Sequence, residues 1–162
     1  MRKYKKHISI LILILVLSLT LVGCSSKAEV LPPKIDQGAE IVEITGECNV
    51  ETSASSVVVS SDANIIDGSI VVISVNGMDS NVLAEKEIVK SGDNLTAEFA
   101  IEDDWGDEIF GFVVMTIDSN GKQADHVYLA YGENFEKVKT ENMLFDGKST
   151  IVVFQSEKTK IR

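Results

Sequence analysis

The chain has 162 residues, with 25 acidic against 15 basic side chains, a formal net charge of −10 and only two cysteines and two histidines. That acid excess excludes nucleic acid as a partner, because a polyanion is held by basic patches. The length is that of one domain with one core.

The opening Met1-Arg2-Lys3-Tyr4-Lys5-Lys6-His7 carries four fixed positive charges and is followed by an apolar run over residues 8–22, interrupted by Ser9, Ser18 and Thr20. A basic segment, an apolar segment and small residues at its end predict an N-terminal secretory signal helix. The run is shorter than the roughly 18 residues of a spanning helix. The basic flank stays in the cytoplasm, so the chain beyond the apolar run is exported. Leu21-Val22-Gly23-Cys24 closely resembles a bacterial lipobox. The resemblance implies cleavage between Gly23 and Cys24, a diacylglyceryl group on the Cys24 thiol, and a lipid anchor on the extracytoplasmic face of the cell membrane. Each buried CH₂ contributes about 0.8 kcal/mol and one chain anchors only marginally, so two chains are needed for stable attachment.

Without residues 1–23 the chain has 139 residues, 11 basic and 25 acidic, a net charge of −14. Anionic headgroups repel such a domain, so its membrane contact is the lipid on Cys24. It is also too short for the two-lobed cleft of solute-binding lipoproteins. With Cys24 acylated, Cys48 is alone and no intramolecular disulfide can form.

Residues 24–39 read as a tether, stiffened by Pro32-Pro33. Over residues 42–50 the even positions Val42, Ile44, Gly46, Cys48 and Val50 alternate with Glu43, Thr45, Glu47 and Asn49, which predicts one strand with Cys48 on its buried face. Val57-Val58-Val59 predicts a short, fully buried strand within residues 55–60. Asp67-Gly68 is a turn signal before a β-branched core strand over 69–75. Asn76-Gly77 ends that strand, and residues 82–90 read as an edge strand in which Ala84, Glu85, Lys86 and Glu87 would also admit one helical turn. Leu95, Ala97, Phe99 and Ile101 alternate with polar residues in another half-buried strand.

Residues 102–108 form an acidic loop holding the only tryptophan, Trp105. A long apolar strand spans 109–117. Ser119-Asn120-Gly121-Lys122 predicts a hairpin turn into a returning strand over 124–131, with Val127 and Leu129 inward and His126 exposed. Asp146-Gly147-Lys148 turns into a last strand over 150–155, and the charged tail 157–162 is expected to fray.

About seven to nine short strands with frequent turns predict an all-β, immunoglobulin-like antiparallel β-sandwich over residues 40–156. Asn64-Ile65-Ile66-Asp67-Gly68-Ser69-Ile70-Val71-Val72 is similar to a corner-and-strand signature of immunoglobulin-like domains in Gram-positive lipoproteins. Leu95-Thr96-Ala97-Glu98-Phe99 and Tyr131-Gly132-Glu133-Asn134 fit its later segments loosely. Ile66 and Ser69 depart from it, standing where that signature has proline and threonine. The resemblance implies a spacer or binding module and no activity.

The residues themselves supply no catalytic constellation. One histidine and one buried cysteine cannot build a zinc or copper site. There is no Gly-x-Ser-x-Gly elbow and no phosphate-cradling glycine loop. No cofactor is expected. Asp103, Asp104, Trp105 and Asp107 are the candidate binding loop: carboxylates suit Ca²⁺, although the spacing is not that of an EF-hand. Trp105 reads first as a lid on the end of the sandwich and second as a recognition anchor. Asn64, Asp67 and Asp62 read as turn chemistry before a cation set. The expected function is a non-enzymatic interaction or spacer module with an unknown protein or cell-envelope partner. The alternative is an inhibitor or ligand-binding module working through the Trp105 loop.

Overall fold

A computed structural model describes residues 40–162; the signal segment, the lipobox with Gly23 and Cys24, and the tether lie outside the described residues. The strands are β1 (Val42–Glu43), β2 (Cys48–Thr52), β3 (Ser56–Ser61), β4 (Ile70–Gly77), β5 (Val82–Val89), β6 (Leu95–Ala100), β7 (Phe110–Asp118), β8 (Val138–Lys139), β9 (Met143–Phe145), β10 (Thr150–Gln155) and β11 (Thr159–Lys160). A single 3₁₀ turn at Asp103–Trp105 precedes β7, and a helix α1 (Asp125–Tyr131) comes after it.

Two antiparallel sheets carry the fold. One runs β5-β4-β7-β10-β9 with β11 added on β7, and the other runs β2-β3-β6. The chain crosses between them after β3, β5 and β6. Val71, Ile73 and Val75 of β4, Val113, Met115 and Ile117 of β7, and Val152 and Phe154 of β10 join Val57 and Val59 of β3 and Leu95, Ala97 and Phe99 of β6 in one buried cluster. The alternation of side chains along each strand places these residues on one face. The architecture is consistent with an all-β sandwich. A separate parallel pair, β1 with β8, sits beside it.

Several sequence expectations are corrected. Residues 42–50 form two strands rather than one. The break is at Gly46, at φ +144°, where a Cβ would overlap the Ala63 backbone. Only glycine takes that conformation at no steric cost. The inward parity is as expected, with Ile44 and Cys48 buried. β3 alternates buried and half-buried residues rather than being buried throughout, because one of its faces looks outward.

The segment 124–131 is a helix, not a returning strand. Val127 and Tyr131, four residues apart, share its buried side, and Leu129 points into solvent at 75% exposure. A spacing of four satisfies helical and strand periods alike, so the pattern by itself does not separate the two. Gly132 closes the helix at φ +83°, its N–H donating to Tyr128 O at 2.8 Å. The tail does not fray: Thr159 and Lys160 pair with Gly111 and Phe110, and Ile161 is buried.

Candidate functional site

The acidic loop leaves β6 and enters β7. Trp105, the last residue of the 3₁₀ turn, is 8% exposed and belongs to the core cluster, while Asp103, Asp104 and Asp107 are exposed. The indole therefore closes this end of the core, and its carboxylate neighbours stand in water.

The C-terminus partly neutralises them. Arg162 donates from Nη1 to Glu102 O at 2.9 Å and lies 3.6 Å from Asp103 Oδ1, and Lys160 Nζ is 2.9 Å from Glu108 Oε1. The hydrogen bond and the charge of Lys160 hold the Glu108 carboxyl below the usual carboxylate range. Among the described residues no three His, Cys, Asp or Glu side chains converge as a metal site.

The corner residues are occupied by the chain itself. Asn64 Oδ1 accepts the Thr45 N–H at 2.8 Å and its Nδ2 donates to Glu43 O at 2.9 Å. Asp62 accepts the Glu47 N–H at 2.9 Å. Asp67 lies 3.6 Å from the buried Lys90 ammonium. These are not the local turn bonds the sequence predicts: Asn64 and Asp62 tie the corner to the segment Glu43–Glu47, and Asp67 meets a lysine rather than its own turn's backbone. His126 is exposed, as expected, but from a helix: its Nε2 meets Asp67 O at 2.7 Å.

Beside Trp105 lies an open groove of about 410 Å³, lined by Gly77, Met78, Leu83, Trp105, Ile109 and Phe110 and flanked by Asp79 and Glu108. Met78 and Phe110 are each about half exposed, as is nearby Val82. The loop sequence alone does not disclose these side chains. The signal lies in strand parity: Val113, Met115 and Ile117 face inward, so Phe110 must face outward. Met78 and Phe110 thus present exposed apolar surface in a groove with two carboxylates, Asp79 and Glu108, the second of them paired with Lys160.

Comparison of the chain with protein-family models, with curated proteins and with solved structures finds no match.

Proposed function

We propose that this protein is a lipid-anchored, non-enzymatic binding module on the extracytoplasmic face of the cell membrane. Its contact end is the Met78–Phe110 groove and the acidic loop above it. The observation that carries the reading is the exposure of Met78 and Phe110 in the groove beside the buried Trp105, with Asp79 and Glu108 at its margin. The partner that fits is a protein presenting an apolar anchor with basic residues around it.

An immunoglobulin-like identity is supported by strand order. β5-β4-β7-β10 against β2-β3-β6 is the order in which such domains set their C′CFG sheet against strands A, B and E. α1, β8 and β9 are then insertions between the last two long strands. Attachment through Cys24 rests on the lipobox and its basic, apolar lead-in.

Cross-linking on intact cells tests the contact end. Wild-type protein is expected to give a discrete cross-linked protein, and a folded Met78→Ser/Phe110→Ser chain to lose it. An unchanged cross-link would overturn the assignment. Mass spectrometry of the mature N-terminus tests the anchor separately, and an unmodified N-terminal peptide would remove it.

A further inference from the structure

A second surface lies where the two sheets come together but do not pair. β2 is bonded on one side only, to β3. Ser53 N–H donates to Ser56 O at 2.9 Å, so the β2–β3 pairing alternates from that point. Asn49 and Glu51 exchange bonds with Ser60 and Val58, and the N–H and C=O groups of Cys48 and Val50 point away from β3. The same reasoning applies to β10. Val153 N–H donates to Asn142 O at 2.8 Å, so the groups of Gln155 point to the same side, past the end of β9. Among the described residues these outward groups of Cys48, Val50 and Gln155 have no backbone partner.

Between the two open edges runs a groove of about 590 Å³, lined by Gly46–Val50, Asn142 and the stretch from Phe154 to Thr159. It is closed at one end, where Thr52 Oγ1 donates to Lys160 O at 3.3 Å. We infer that this groove takes an extended peptide as an added strand, one whose side chains alternate between small apolar and basic. Main-chain bonds to the open edge supply the affinity, and alternate side chains supply selectivity. An added strand places every second side chain toward Cys48, Val50 and Phe154, which are buried or half-buried. The intervening side chains lie beside exposed Glu47, Asn49 and Glu51. Opposite charges across strands are favourable and like charges directly opposite are not. Glu47 and Glu51 therefore favour a basic segment and oppose edge-to-edge pairing with a second copy of this chain. Glu157 adds to the acid lining, and Lys158 at the tail side is its one cation.

The inference is independent of the lipid anchor and of the Trp105 end. Fluorescence anisotropy with a labelled peptide of alternating lysine and valine tests it. That peptide is expected to bind the full chain. Its glutamate–valine counterpart is expected to bind at least roughly tenfold more weakly, as is a copy N-methylated on the bonding edge, each having lost complementary charge or main-chain bonds. Val50→Pro removes an edge donor, and the exposed pair Glu47→Lys/Glu51→Lys reverses the charge without touching the core. Each is expected to weaken the lysine–valine peptide roughly tenfold, and the charge-reversed chain to prefer the glutamate–valine peptide. Equal binding of the N-methylated and unmodified peptides would overturn the inference, since it would reduce the interaction to general attraction by an acidic surface. So would unchanged binding by the charge-reversed chain with its thermal transition intact.

Discussion

Cys48 sits at the floor of the edge groove with a side chain that is almost wholly covered. Burial disfavours the thiolate and pushes the thiol up from 9.0 to about 11. At pH 8 its thiolate population is then roughly a hundredfold below that of a free cysteine, and reactivity tracks the thiolate. In a Cys24→Ser chain, where Cys48 is the only thiol, a disulfide reagent at pH 8 is expected to react slowly with native protein and at once in denaturant. Comparable rates in both would show that the thiol is not buried. The same shift has a consequence for stability. The folded value lies above the unfolded one, so the contribution is complete below about pH 9 and is lost as pH rises toward about 11. Tyr131 adds to this alkaline loss. Its phenol is also raised by burial, although its hydroxyl accepts the Ile66 N–H at 2.9 Å. The denaturation midpoint is expected to hold near neutral pH and to fall in the alkaline range.

Among the elements, β11 shows how a short segment is held. Ile161 N–H donates to Ile109 O at 2.7 Å, and Ile109 N–H donates to Arg162 O at 3.1 Å. Gly111 on β7 leaves the space that the Ile161 side chain fills, and a Cβ there would overlap it. Ile161→Ala is expected to cost about 2–4 kcal/mol by chemical denaturation, the range for emptying a buried aliphatic site. A change well under 1 kcal/mol would place Ile161 outside the core. Of the seven strands of five or more residues, β6 was legible as an alternation, β5 as an edge strand, β3, β4, β7 and β10 as apolar or β-branched runs, and β2 only as the end of the alternation over 42–50. β1, β8, β9 and β11 were not separable: strands of two or three residues carry no period, and they exist through partners distant in the chain, as Val42 does through Val138. α1 escaped for a related reason, since Val127 and Tyr131 are its only buried positions. At the candidate site, the loop 102–108 and the burial of Trp105 could be read locally. Its junction with Met78, Phe110, Lys160 and Arg162 could not, because β4, β7 and β11 meet only through sheet register.

At the scale of the molecule, charge is the dominant unsatisfied quantity. Residues 40–162 hold 23 acidic and 9 basic side chains, and four cations, on Lys90, Lys139, Lys160 and Arg162, stand in ion pairs. Most carboxylates therefore face water and one another. This diffuse repulsion opposes the compact state and is screened over about 30 Å at 0.01 M salt but about 10 Å at 0.1 M. Raising sodium chloride across that range is expected to raise the thermal midpoint by a few degrees. Calcium chloride at equal ionic strength is expected to do the same and no more if the Asp103, Asp104 and Asp107 carboxylates act only as part of this field. A larger, saturating shift with calcium, lost in an Asp103→Asn/Asp104→Asn chain, would instead identify a cation site on the loop. The same field acts against an anionic leaflet. A chain carrying Cys24→Ser is expected to stay in solution with phosphatidylglycerol vesicles at low salt, where a basic surface would bind. Its recovery with the vesicles would show an attractive face that overcomes the acid excess, and would count against the proposal that the lipid on Cys24 alone makes the membrane contact.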